Sequence, residues 1–348
     1  MSNLIPSHQN QSFLQLIIGP HVNRSKEKSS ITKCIKTAII DCRAHSINMA
    51  IAAIFVSNPR GLQIILKDGE LEELKQFIKT KQNFLVIAHS SYVAFLWNKE
   101  NPDKYIDFVK KEYTLCKDCG ISGLVVHLPK ESILKQKRIK EIIKKLIDKL
   151  ANDNTNIAID KPINITISDP IDKTIEAWSI RQDIDEDIKK SNNPIIYFET
   201  PAIVPMWASY DTPEKLSKLF YIINKIDANH PFGICIDTAH IWTSGNDISS
   251  YNNTRRWFTE LMESPYIPHD RIIIHLNDSA NELGHGPDKH ASLTDGHIWN
   301  NYKTRGELKK SGIYFIIEFA NQYNIPIILE RNNTEALVKD YKILSKII

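Results

Sequence analysis

A chain of 348 residues is long for one ordinary domain, yet within reach of a single α/β barrel carrying insertions. Hydrophobic residues at 42% and charged residues at 24% exclude disorder over most of the length, and no apolar run reaches the ~18 residues of a membrane span. The net charge of +3, from 44 basic and 41 acidic side chains, points to no polyanion by itself, so any nucleic-acid contact must come from local placement of charge.

The first segment, MSNLIPSHQNQS (1–12), reads as a tail; it lacks a basic n-region and an apolar h-region, so no secretory signal is expected. Short apolar runs follow: LQLIIG (14–19), MAIAAIFV (49–56), FLVIAH (84–89), GLVVHL (123–128), IIYFET (195–200), GICIDT (233–238), RIIIHLND (271–278) and PIILER (326–331). Most are continuously hydrophobic, as parallel strands buried on both faces should be. Amphipathic helical patterns lie between them. In ILKQKRIKEIIKKLIDKL (133–150), Ile139, Ile142, Ile143, Leu146 and Leu150 make one stripe, and lysines cover the opposite face as a solvated surface. Strand–helix units repeated in this order predict a single-domain (β/α)8 TIM barrel over 13–348. The Asn-, Asp- and Ile-rich stretch 151–193, with a helix predicted near 170–190, reads as an insertion between the fourth and fifth units.

The five cysteines (34, 42, 116, 119, 235) are few and odd in number, which argues against a disulfide framework and for a reduced, intracellular protein. Nucleus, cytoplasm and virion are not distinguished. Cys116 and Cys119 form a lone C-x-x-C; two buried helix cysteines is the plain reading, and a zinc pair the alternative.

The residues that end the runs carry the chemistry. His89 closes the third, His127 the fourth, Glu199 the fifth, Asp237 the sixth, His275 the seventh and Glu330 the eighth. In a (β/α)8 barrel the C-terminal strand ends open on one face, where active sites lie. His240 adds a D-x-x-H pair with Asp237, and Asp288 with His290 adds a D-x-H pair after the seventh run. A single strand-end His is ordinarily a hydrogen-bonded structural residue. Carboxylates inside an apolar barrel differ, because an ionised group there is costly unless paired or metal-bound. This oxygen and nitrogen donor set suits zinc, with manganese or iron as substitutes.

HLNDSANELGHGPDKHASLTDGHI (275–298) and FGICIDTAHIWTSGND (232–247) resemble signatures of the endonuclease IV family of apurinic/apyrimidinic (AP) endonucleases. Fainter matches are GPHV (19–22), AHSSY (88–92), VVH (125–127), FET (198–200) and PIILERN (326–332). The resemblance runs from about residue 15 to the C-terminus and implies three zinc ions in a TIM barrel. By resemblance, His89, His127 and Glu199 bind the first; Glu199 bridges to the second, completed by Asp237, His275 and Glu330; His240, Asp288 and His290 bind the third. Glu199, Asp237 and Glu330 are then the carboxylates closest to the chemistry. The implied activity is hydrolysis of the phosphodiester 5′ to an abasic site in double-stranded DNA during base excision repair. The products are a 3′-hydroxyl and a 5′-deoxyribose phosphate, and blocked 3′ ends are trimmed as well.

The family opens the duplex with an Arg and a Tyr-aliphatic pair, and Arg60, Tyr92 and Val93 stand at matching places; an exposed loop Arg and a packed Tyr are the plain alternatives. Departures exist. His127 is followed by Leu-Pro-Lys rather than Pro-Gly, and Glu199 by Thr rather than Asn. The span from His127 to Glu199 is also longer than usual. His285 and His297 flank the third-metal loop as outer-sphere groups or exposed residues. Two rivals remain: a metal-dependent sugar isomerase or epimerase on the same barrel, and a non-catalytic module that binds damaged DNA. A monomer with no membrane association is expected.

Overall fold

The computed structural model describes residues 16–24, 29–81, 83–98, 100–129, 136–151, 193–202, 210–331 and 333–347. Its strands are β1 (Ile18–Val22), β2 (Ile51–Phe55), β3 (Leu85–His89), β4 (Gly123–His127), β5 (Ile195–Glu199), β6 (Phe232–Asp237), β7 (Ile272–His275), β8 (Asp278–Ser279), β9 (His290–Ala291) and β10 (Ile327–Leu329). The helices are α1 (Ile31–Ala44), α2 (Asp68–Thr80), α3 (Pro102–Cys119), α4 (Gln136–Ala151), α5 (Pro213–Ile226), α6 (Thr238–Thr243), α7 (Tyr251–Met262), α8 (Arg305–Leu308), α9 (Gly312–Gln322) and α10 (Thr334–Leu344). Eight strands close into a parallel barrel in the order β1-β2-β3-β4-β5-β6-β7-β10, while β8 and β9 pair antiparallel above it. This is the (β/α)8 TIM barrel that the alternating runs predict. The tail 1–12 lies outside the described residues, as does nearly all of the 151–193 insertion with its predicted helix.

Period-two alternation divides each strand between two cores. Ile51 and Ala53, Leu85 and Ile87, Val125, Tyr197, Cys235, Ile273 and Ile328 fill the barrel lumen as one apolar cluster. Their neighbours Ala52 and Ile54, Val86 and Ala88, Leu124 and Val126, Ile196 and Phe198, Ile234 and Ile236, Ile272 and Ile274 face the helices in a second, larger cluster. Both faces are buried, so the runs read as continuous rather than alternating. The helices present the matching stripes. In α4, Ile139, Ile142, Ile143 and Leu146 are buried, while Lys145 and Lys149 pair with Asp103 and Asp107 of α3.

The first strand corrects the sequence reading. The run 14–19 ends on Gly19, where Gly-Pro looks like a break. Instead β1 runs through Gly19 and Pro20 to Val22, and Pro20 aligns with Leu329 of β10. Gly19 is there for closeness: a Cβ would sit 1.7 Å from the Ile51 carbonyl oxygen of β2.

Candidate metal centre

The lumen alternation, carried one more step, produces the site. Two residues beyond Ile87, Val125, Tyr197, Cys235, Ile273 and Ile328 stand His89, His127, Glu199, Asp237, His275 and Glu330. Parallel register aligns two pairs, His127 with Glu199 across β4 and β5 and Asp237 with His275 across β6 and β7, while the other junctions are staggered by two residues: His89 aligns with Val125, Glu199 with Cys235 and His275 with Ile328. The same alternation on β1 brings up His21, which the sequence reading did not single out. Its ring packs edge-on against Phe55 and lies 6.2 Å from that of His89.

Glu199 sits at the centre. Its Oε2 lies 2.8 Å from His127 Nε2 and 3.3 Å from His89 Nε2, and its Oε1 lies 2.9 Å from His275 Nδ1. His275 Nδ1 is 3.4 Å from Glu330 Oε2 and 3.9 Å from Asp237 Oδ2. Asp288 bridges the outer pair, at 3.2 Å from His240 Nε2 and 2.9 Å from His290 Nε2. Donor atoms within 4.8 Å of one another form the groups His89–His127–Glu199, Glu199–Asp237–His275–Glu330 and Asp237–His240–His290. The first two coincide with the expected ligand sets. In the third, Asp237 joins His240 and His290, with Asp288 in contact with both. Cys235, buried beside Glu199 and His275, completes a further group that the sequence reading missed.

The donor set fits cations. Glu199 Oε2, His240 Nε2, His275 Nε2 and His290 Nε2 are buried without a hydrogen-bond partner, although other donor atoms lie close by. Two imidazoles have their tautomers fixed for the purpose. His89 Nδ1 lies 2.7 Å from the Ser90 carbonyl, and His240 Nδ1 lies 2.7 Å from that of Thr200. A carbonyl only accepts, so Nδ1 keeps a proton in either charge state and Nε2 is the nitrogen left to bind a cation. That carbonyl would be offered by any residue at 200; the departure from the family pattern matters through the Thr200 side chain. Its hydroxyl accepts from the Asp237 N–H at 3.0 Å.

Electrostatics show how heavily the pocket is charged. Burial pushes the Glu199 carboxyl up, but His127 and His275 outweigh it and hold it well below the usual range. Asp237 is raised by burial, with Glu330 and Glu199 adding to the effect against His240 and His290. Burial works against protonating His290, yet Asp237, Asp288 and Glu330 lift it to about 9. His240 and His275 are likewise raised well above the ordinary value against burial, by Asp237 and Asp288 for one and by Cys235, Glu330 and Glu199 for the other. Without cations, protonated imidazoles balance the carboxylates. Dications would displace those protons.

The third-site residues hang on a folded loop. β8 and β9 pair Ser279 with His290. Trp242 of α6 donates to the Asn281 carbonyl at 2.9 Å, and Gly284 N–H donates to the Trp242 carbonyl at 3.1 Å. Buried Asp278, absent from the sequence reading, accepts from the N–H groups of Ser279, Thr294 and Ile298 at 2.8–3.0 Å. Gly296 must be glycine, because a Cβ would lie 2.4 Å from an Asp278 oxygen.

Tyr92 is 45% exposed on the rim, its ring centroid 5.3–5.5 Å from those of Phe55, His89 and His127. Val93 beside it is half-buried, and Arg60 is exposed on the loop after β2. The two loops are joined: Tyr92 N–H donates to the Pro59 carbonyl at 3.0 Å, and Ser57 and Ser90 both donate to buried Glu112. Glu112, pushed up to about 7 by burial, was also missed. Cys116 and Cys119 are buried in the last turns of α3 and belong to no donor group among the described residues. His285 and His297 are exposed.

A closed parallel barrel with metal-ligand donor sets at its C-terminal strand ends defines a metal-binding TIM barrel enzyme. The chain matches the Xylose isomerase-like TIM barrel family over residues 43–346. It is 34% identical to the "Probable AP endonuclease" of African swine fever virus over 283 residues, 81% of this chain and 78% of that protein. Among solved structures it is similar to AsfvAP:AG, with 29% identity, 95% of this chain and 99% of the other covered, and a TM-score of 0.75. Endonuclease IV from Thermus thermophilus shares the fold at 18% identity, with coverage of 94% and 98% and a TM-score of 0.63. The chain belongs to the xylose isomerase-like TIM barrel family and, within it, to the AP endonucleases, DNA-cleaving hydrolases.

Proposed function

We propose that the chain is a zinc-dependent AP endonuclease of base excision repair. It cuts double-stranded DNA 5′ to an abasic site, leaves a 3′-hydroxyl and a 5′-deoxyribose phosphate, and trims blocked 3′ ends. The observation that carries this reading is Glu199, whose two oxygens are shared between two donor groups while a third group stands beside them. His89, His127 and Glu199 would hold one zinc, Glu199, Asp237, His275 and Glu330 a second, and His240, Asp288 and His290 a third. When bound, the cations make water nucleophilic near neutral pH and neutralise charge on the attacking and leaving oxygens of a phosphodiester. The chain's residues hold the donors at the ends of adjacent strands, exclude bulk water below the site with the apolar lumen, and fix the imidazole tautomers. Tyr92 and Arg60, on loops joined to each other, would fill the gap left when the abasic nucleotide leaves the stack.

The test is a duplex carrying one tetrahydrofuran abasic analogue, incubated with the purified chain, with chelator, and with chelator followed by zinc. Nicking on the 5′ side that chelator abolishes and zinc restores is expected. Intact DNA in all three would overturn the reading. A sugar isomerase needs no third donor group, so elemental analysis showing close to three zinc equivalents separates that rival.

A further inference from the structure

The AP endonuclease reading assigns the carboxylates Asp237 and Glu330 to one cation and leaves unexplained what keeps them apart before it arrives. They stand on β6 and at the end of β10, the two strands that flank β7 in the barrel. Asn277, fully buried just past the end of β7, lies between them. Its Nδ2 donates to Asp237 Oδ2 at 2.7 Å and to Glu330 Oε2 at 2.9 Å. One neutral amide thus uses both N–H bonds on two anions and leaves their charge for a cation.

An amide can flip, and the flipped form would aim its oxygen at both carboxylates. Two contacts prevent that. Asn277 Oδ1 accepts from Arg331 Nη1 at 2.7 Å and from Glu330 N–H at 3.3 Å. Arg331 is itself buried and held at every edge: Nη1 donates to the Glu330 carbonyl at 2.9 Å, Nη2 to the Leu276 carbonyl at 3.3 Å, and Nε to Asp340 of α10. Asp340, fully buried, spends its other oxygen on Leu293 N–H at 2.8 Å, three residues past His290.

We propose that Asp340, Arg331 and Asn277 form a positioning chain that locks the Asn277 amide in one orientation and so sets the spacing of Asp237 and Glu330 for a cation. Asp340 acts through Arg331, and Arg331 through Asn277. None of the three is a ligand. This rests on the metal-centre reading above. Outer-sphere partners of metal ligands ordinarily change affinity by about 10–100-fold, and this chain runs from the last helix to the pocket.

The experiment measures zinc affinity of the full-length protein by competition with a chromophoric chelator, with circular dichroism melting in excess chelator as the folding control. Asn277→Ala, Arg331→Lys and Asp340→Asn should each weaken one class of bound zinc by ~10–100-fold while the chelated proteins melt near the wild type. Asp340→Asn puts an amide N–H against the guanidinium while keeping an acceptor for Leu293, so it loosens the chain without opening a cavity. Arg331→Lys keeps the charge and loses the fork, so it serves as the informative variant where Asn277→Ala fails to fold. In the Asn277→Ala background, Asp340→Asn should add little, because its route to the ligands is already cut. Wild-type affinity in Arg331→Lys and Asp340→Asn, or full additivity in the double variant, overturns the chain alone. A wild-type protein that binds no zinc overturns the metal reading and the chain with it.

Discussion

The two halves of the barrel lumen are built from the same strands by the same two-residue alternation, yet they hold opposite chemistry. Ile87, Val125, Ile273 and Ile328 make the lower half a buried apolar core. One step further along each strand, Glu199, Asp237 and Glu330 stand among His89, His127 and His275 and make the upper half a cluster whose carboxylates repel unless protons or cations intervene. The lower half carries stability and the upper half carries chemistry at a cost in stability. The difference shows that a functional layer can be laid directly on a structural one without changing strand geometry.

The largest effect that should break this contrast is Glu199→Gln. The volume stays and the bridging charge goes, so nicking should fall by several orders of magnitude while abasic DNA still binds through phosphate contacts. Gel nicking and filter-binding assays on the same preparation would show it; near-normal cleavage means that Glu199 is no bridge. The converse change is Ile273→Ala, two residues below His275. It opens a cavity in the lower core and should cost ~2–5 kcal/mol in denaturant unfolding. Activity per folded molecule should hold, and a loss of turnover greater than the loss of folded protein would merge the two halves.

The pH response sharpens the comparison. His290, at about 9 in the metal-free protein, and His240 and His275, raised well above the ordinary value, favour the protonated folded state. Stability from a raised histidine is complete below its unfolded value near 6.5 and is lost as pH rises through the folded value. Chelated protein should therefore melt at progressively lower temperature between about pH 6.5 and 9. Zinc-loaded protein should not follow it, since cations replace those protons and bind more tightly as pH rises. Parallel melting curves would refute this balance of charges.

The smallest effect belongs to the rim. Tyr92→Ala should weaken cutting at internal abasic sites by ~10–100-fold, as unstacking costs a few kcal/mol that the inserted ring offsets. Arg60→Ala should do less. Trimming of a frayed, blocked 3′ end should stay near normal, and zinc content should not change. Equal losses on both substrates would indicate a general defect in folding or phosphate binding, not a wedge.

Much of this was legible in order along the chain. Apolar runs closed by His, Glu or Asp marked both the strands and the layer of donors, because strand period and barrel polarity fix where the last inward residue points. Where the sequence misled, the signal was local and the cause was not. The first run is bounded at 14–19, yet β1 is Ile18–Val22, with Gly19 where Ile51 approaches closely.

The sequence by itself therefore pointed to the barrel, to the face where its strands end and to six candidate donors there, since each depends on periodicity and residue type at a strand end; His240, Asp288 and His290 became candidate ligands through the family resemblance. Only the tertiary structure added Asp237 to His240 and His290, Cys235 to Glu199 and His275, and Thr200, Asn277, Arg331 and Asp340 as their support. Asn277 and Arg331, the joined pair at the centre of that support, lie 54 residues apart. Hydrogen bonds across such separations follow from barrel closure, which places β10 beside β7, and no spacing within either segment records it.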